Sequence, residues 1–311
     1  MKKITLSILL IFLIGNKDSL ACDICGCGVG TYYVGILPEF NKRLMGLRYR
    51  YNQLITHIGA GGSTSYLTTK ERFHTMEWWG AWHLAPKFRL MATVPFQVIS
   101  KENAGSRESR MGLGDATVNG FYQVYKKMSM LEGDHPKMVH QILWVGGGVK
   151  LPFGQYDQNG RDVSGPSINT FQLGTGSIDF LLNAAYDLRV QDLGINVNAS
   201  YKINTENRDS YRYGNKATIN TQVYHKFKVG PKSSVSPNLG ASLEYARLDR
   251  DAGYKLDVSG GRLLMGSIGA EMLAAKRWAM GGYFQTPLSQ ELANGFARAG
   301  NRWMAHVAYK F

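Results

Sequence analysis

Long apolar runs are scarce in this chain of 311 residues. One exists, Ile4–Ile14, and it is too short to cross a bilayer, which takes about 20 apolar residues. A bundle of transmembrane helices is therefore excluded. Proline is sparse at 9 residues and cysteine sparser at 3. Acidic residues number 23 against 36 Lys and Arg, for a net charge of +13. Several catalytic signatures are missing as well: Gly-x-Ser-x-Gly, the glycine-rich phosphate and dinucleotide loops, and His-based zinc motifs. What is abundant points one way. With 36 Gly, 17 Tyr, 13 Phe and 6 Trp, the chain is too aromatic for disorder and has the composition of many short strands.

Lys2 and Lys3 before the Ile4–Ile14 run, with Ser19-Leu20-Ala21 after it, form a secretory signal peptide over 1–21. The mature chain then starts at Cys22. Cleavage removes three lysines and one aspartate and leaves a charge of +11. A basic exported protein suits anionic lipopolysaccharide or anionic solutes, and nucleic acid is a poor partner for it.

All three cysteines fall in Cys22-Asp23-Ile24-Cys25-Gly26-Cys27. Three soft sulfurs so close can bind Cu(I) or Zn(II). An oxidising compartment can instead close a disulfide and leave one thiol over. Lipidation of Cys22 and a purely structural role stay open beside these. Covalent haem is not expected, because no His follows the cysteines.

From residue 44 onward apolar residues recur at every second position. Trp303, Ala305, Val307, Tyr309 and Phe311 share one face of the last segment, and Arg302, His306 and Lys310 the other. Ile195, Val197, Ala199, Tyr201 and Ile203 alternate with Asn196, Asn198, Ser200, Lys202 and Asn204 in the same way. Such alternation is a strand with one apolar and one polar face. It predicts twelve strands, at 44–55, 72–84, 87–99, 114–126, 138–151, 175–190, 193–204, 215–229, 234–247, 262–274, 277–288 and 301–311. At about 10–16 residues they are longer than soluble strands and suit tilted membrane strands. Connections of roughly 10–23 residues alternate with mostly very short ones, the long-loop, short-turn asymmetry of outer-membrane barrels. The expectation is an all-β, transmembrane, antiparallel up-and-down β-barrel over 44–311, with a cysteine-containing periplasmic segment over 22–43. The even strand count puts both termini in the periplasm. Long connections such as 152–174 are expected outside the cell.

The outward apolar face calls for membrane lipid, and Trp78, Trp82, Tyr49, Tyr51, Tyr309 and Phe311 suit the interfacial girdles. The terminal Phe311 resembles the C-terminal signal that outer-membrane proteins present to the barrel-assembly machinery. On the polar face stand Arg48, Arg50, Lys87, Arg89, Lys150 and Lys202, with Glu77, Asp115, Asp179, Asp187, Glu244 and Glu271. These are expected to face the lumen, where paired charges brace a narrow barrel or line a restricted pore.

Four pieces, Ala92-Thr93-Val94-Pro95-Phe96, Gly112-Leu113-Gly114-Asp115, Lys150-Leu151-Pro152-Phe153-Gly154 and Gln172 through Phe180, resemble the meta-pathway phenol-degradation family of Gram-negative outer-membrane proteins, often described as transporters. The resemblance implies an outer-membrane channel. The glycines read either as structural positions where loops rejoin the wall or as ligand contacts. The function expected is a channel or transporter for small solutes, not an enzyme. The alternatives are a metal-handling barrel that holds a soft ion at Cys22, Cys25 and Cys27, and more remotely an outer-membrane hydrolase. His74, His83, His140, His225 and His306 sit in no nucleophile motif.

Overall fold

The computed structural model describes residues 43–132, 136–158 and 169–311. Twelve antiparallel strands form the wall: β1 Leu44–Thr56, β2 Thr69–Ala85, β3 Phe88–Asn103, β4 Ala116–Leu131, β5 Lys137–Leu151, β6 Asp179–Val190, β7 Leu193–Ile203, β8 Lys216–His225, β9 Ser234–Ala246, β10 Gly261–Ala274, β11 Trp278–Leu292 and β12 Arg302–Lys310. Each strand pairs with its neighbour in sequence, and β1 closes the ring on β12 in register from Leu44 opposite Lys310 to Tyr51 opposite Trp303. The result is a closed barrel.

Alternation sorts the side chains as the sequence implies. On β1, Arg48, Arg50 and Leu54 are buried, whereas Met45, Leu47 and Tyr49 are exposed. On β12, Arg302, His306 and Lys310 are buried and Trp303 is exposed. Outside stand Met76, Trp78, Val94, Tyr122, Leu182, Leu239 and Ile268, an apolar band that only lipid can cover without cost. Aromatic pairs stiffen it, with Trp278 edge-on to Tyr309 at 5.0 Å and Phe284 edge-on to Trp303 at 4.8 Å.

The turns are short at one end, for instance Pro86-Lys87 and Gln191-Asp192, and long at the other. Two expectations about the long end need correction. Residues 100–113 are not a loop. β3 runs on to Asn103, turns at Ala104-Gly105, and returns as a short strand, Ser106–Leu113, paired with β3 from Phe96 opposite Leu113 onward. Charged residues here interrupt the apolar alternation, because this hairpin stands beyond the lipid and needs no apolar face. The connection 152–178 is not wholly outside either. Asn169 through Thr175 are buried in the barrel mouth, and regular pairing of β6 starts only at Asp179.

Three bulges re-aim side chains, where pairing shifts between His83 and Ala85, between Gln123 and Tyr125, and opposite Leu264 and Met265. Residues 1–42, with the expected signal peptide and cysteine segment, lie outside the described residues.

In a background with the three cysteines replaced, single cysteines at Ala104 and Ala252 should react with an impermeant maleimide on intact cells. A cysteine at Leu173 should react only after unfolding. Ready labelling at Leu173 on folded protein would show that the inward course of 169–175 is wrong.

Candidate functional site

The four sequence pieces converge on one carboxylate. Asp115 lies in the break between Ser106–Leu113 and β4, where Gly114 N donates to Pro95 O at 2.8 Å. Asp115 Oδ1 accepts from Gly154 N at 3.0 Å, and Oδ2 accepts from Thr175 N and Thr175 Oγ1, both at 2.9 Å. Both legs of the connection 152–178 are thus tied to one side chain. Lys150 Nζ completes the knot, 2.6 Å from Asp115 and 2.8 Å from Asp179, and it also meets the Thr175 hydroxyl. Asp179 in turn accepts from Ser177 Oγ at 2.9 Å and Thr205 N at 3.0 Å. The legs cross at two glycines: a Cβ on Gly154 would stand 2.6 Å from Leu173 O and 2.7 Å from Gly174 Cα. No side chain fits between them, so at these positions the glycines are structural.

Held this way, residues 169–175 enter the mouth. Tyr213 Oη donates to Asn169 O at 3.2 Å, Thr170 hydroxyl meets Glu71, and Gln97 Nε2 donates to Leu173 O at 3.4 Å. Arg110 donates to Phe171 O at 3.1 Å and to Asp157 at 2.9 Å, with its guanidinium 4.7 Å from the centre of the Phe171 ring. Phe171 and Leu173 then pack against the inward-facing Leu54, Phe73, Ile99, Leu263, Met265 and Leu292. This buried apolar cluster caps the long-loop end of the lumen.

Beneath the cap lies a cavity of about 100 Å³. One wall is neutral and rich in amides, with Asn183, Asn198, Asn220 and Gln222, joined by Asn52 and Gln285 from across the lumen. Asn183 Nδ2 donates to Asn119 Oδ1 at 3.1 Å. Charged pairs stand beside and across from this wall. Glu77 binds Arg50 and lies 3.3 Å from Arg48; Glu244 binds Arg302 and lies 3.4 Å from Lys216. Glu271 accepts from Tyr283 Oη at 2.7 Å and lies 3.2 Å from His306 Nε2. At such depth a lone charge would be costly, and the carboxylates hold the basic side chains against the wall. Toward the short-turn end, Trp79, Met91, Phe121, Ile142 and Trp144 form a second buried apolar cluster.

Of the residues expected in the lumen, Arg48, Arg50, Glu77, Arg89, Asp115, Lys150, Asp179, Lys202, Glu244 and Glu271 are buried, and Asp187 is half-buried, held by Tyr224 Oη at 3.1 Å. Lys87 is a correction. It occupies the Pro86-Lys87 turn and is exposed, because β3 and its alternation begin one residue later at Phe88. Cys22, Cys25 and Cys27 lie outside the described residues. Phe311 is exposed just past β12 and donates its N–H to Arg43 O at 3.1 Å. His74 meets Tyr49 Oη at 2.8 Å on the outer surface. Missed from the sequence were Phe171, Leu173, Thr170, Thr175 and Glu71, which act only once the connection folds inward. Phe171 and Leu173, two large apolar residues two positions apart in a mostly polar connection, were the available signal.

The fold and its interior define a class: a closed twelve-strand membrane β-barrel whose lumen is capped from within. The profile of the family described as "Putative MetA-pathway of phenol degradation" matches residues 55–261, and the chain belongs to that family. Among solved structures it is similar to an outer membrane channel from Pseudomonas putida F1, at 14% identity and a TM-score of 0.61, over 96% of this chain and 100% of that one. It is more distantly similar to the β domain of the Bordetella autotransporter BrkA, at 10% identity and a TM-score of 0.49, over 87% of this chain and 100% of that one. Among curated proteins, none matches by sequence.

Replacing Asp115 by Asn removes the charge that Lys150 and three loop hydrogen bonds depend on. Breaking a buried pair from one side costs about 3–5 kcal/mol. The expected outcome is release of the loop with the wall intact: a protease added to the folded barrel should cut within 152–178 in the variant and spare the parent. Equal resistance would show that the apolar cap alone holds the loop.

Proposed function

We propose that this protein is an outer-membrane channel that admits small polar solutes, with its short-turn end and both termini in the periplasm. The observation that carries the proposal is a cavity lined by amides, braced charges and aromatic rings inside a closed membrane barrel, beneath the apolar cap of Phe171 and Leu173. Amides offer donors and acceptors at once, so a wall of Asn and Gln can match a hydroxylated or amide-bearing solute in either sense. Phe121, Trp144 and Tyr283 border the same space and would stack on a ring, which accords with a family described by phenol degradation. The similarity to a bacterial outer membrane channel supports the same role.

On this reading the apolar exterior meets lipid and lipopolysaccharide, long connections face outward as in other outer-membrane barrels, and Phe311 offers its exposed terminal ring to the barrel-assembly machinery. Phe171 and Leu173 are the outer constriction, held by Asp115 and able to move only when that clamp opens.

Planar-bilayer recording tests the proposal. The parent barrel should show small, restricted conductance steps, and the double variant Phe171→Ala, Leu173→Ala should show steps several times larger with unchanged heat-modifiable mobility. If neither protein conducts, the channel reading fails. If both conduct equally, the solute path does not run past residues 169–175.

A further inference from the structure

Strands β4 and β5 do not stop where the wall does. β3 begins at Phe88, opposite Tyr122, and the last bond on that side runs from Gln123 N to Lys87 O at 2.8 Å. β6 ends at Val190, opposite Val139. Past these points β4 and β5 continue as a two-stranded ribbon to Leu131 opposite Lys137. Val124 bulges out of the pairing, with Gln123 opposite Trp144 and Tyr125 opposite Leu143. Lys126 therefore faces Ile142 and takes the lumen-side row, and so do Met128 and Met130 after it.

On that row Met128 lies directly opposite His140, and Met130 directly opposite Met138. Direct partners share a face, as do residues two apart in one strand. Three thioethers and one imidazole thus occupy a single patch, with Cβ atoms about 5 Å apart across the strands and roughly 7 Å apart along them. The three methionines are exposed, at 61%, 68% and 51% for Met128, Met130 and Met138, and His140 is buried beneath them. They stand on the lumen-side row, and the reverse row carries Lys127, Ser129, Leu131 and Lys137.

We propose that this patch binds one soft monovalent cation, Cu(I) or Ag(I), through the sulfurs of Met128, Met130 and Met138 and a ring nitrogen of His140. Thioethers are neutral, soft donors that select Cu(I) over hard cations such as Mg(II) or Ca(II). The unbranched methionine side chain, with three rotatable bonds, lets the sulfurs converge from a patch of this size. The surroundings favour low ionic charge. Lys126 precedes Met128 on the same row, and Arg189 stands opposite His140. Asp187, the carboxylate on the neighbouring strand, is already bonded to Tyr224 and Asn196. A divalent ion would meet these two cations with mainly neutral sulfur donors to hold it, whereas a monovalent ion bound largely through sulfur polarisability is penalised far less. The site is independent of the channel reading and of the cysteines.

The test uses the full-length mature barrel in detergent with Cys22, Cys25 and Cys27 replaced by Ser, so that any soft-metal binding comes from elsewhere. Titration with Ag(I), and with Cu(I) against a chromophoric chelator, should give one ion per chain. Shifts should appear in the methyl signals of Met128, Met130 and Met138 in carbon-13 spectra, and Zn(II) should not compete. The variant Met128→Leu, Met130→Leu, Met138→Leu keeps the apolar volume and should lose affinity by about ten-fold or more, with heat-modifiable mobility unchanged. Absence of a stoichiometric ion in the cysteine-free protein, or equal affinity in the leucine variant, overturns the proposal.

Discussion

A backbone amide facing hydrocarbon has no water to bond with, so a strand in a bilayer must be paired on both edges. The pairing of β1 with β12 meets that demand for the last open edges of the sheet. Closure then dictates the rest. It fixes which row of each strand looks inward and encloses a space wider than wall side chains alone can fill, since about eight strands is the limit for that. The interior must be filled by something else, and here it is a folded connection together with large side chains braced in ion pairs.

The interior is divided by polarity along its axis. Apolar side chains gather at the two ends, around Phe171 and Leu173 at one and around Trp79 and Trp144 at the other, while amides and ion pairs occupy the middle. An apolar constriction resists wetting, and a chamber behind it that mixes amides with apolar and aromatic surface favours a molecule that can shed water and recover its hydrogen bonds from Asn and Gln side chains. The basic residues do not stand as open fixed charges. Arg48 and Arg50 share Glu77, and Lys216 and Arg302 share Glu244. Their chief effect is rigidity of the wall.

Much of the wall was legible in the sequence because period two is both its structural repeat and its solvation pattern. The segments at 193–204 and 301–311 show this well: lipid on one side and a polar lumen on the other leave the contrast at nearly every residue. The logic breaks where the environment stops being two-sided. Ser106–Leu113 is exposed over most of its length and turns only the polar Arg110 and Gly112 toward the loop, so it carries little apolar signal, and Thr175 through Ile178, counted with β6, belong to the loop's inward leg. Lys87 shows how one residue at a strand end reverses an assignment. The clamp was out of reach for another reason. Asp115 joins residues 39 and 60 positions away, and nothing local in Gly112-Leu113-Gly114-Asp115 says that its carboxylate will hold two legs of one loop. The four short pieces that marked the family are its parts, so their order along the chain was visible before their convergence was.

The bulge at Val124 changes what chain length means in this region. A strand counts in twos, and adding or removing one residue exchanges its faces for everything beyond, much as a frameshift changes every codon after it. Deleting the unpaired Val124 would only smooth the bulge and leave Met128 opposite His140, whereas deleting the paired Lys127 would put Ser129 opposite His140 and Leu131 opposite Met138. The same deletion in 247–260 would leave every wall row where it is. For lineages that vary in length, the expectation is that loops drift freely and the bulge residue comes and goes singly, while the paired residues beyond it are gained or lost only in twos.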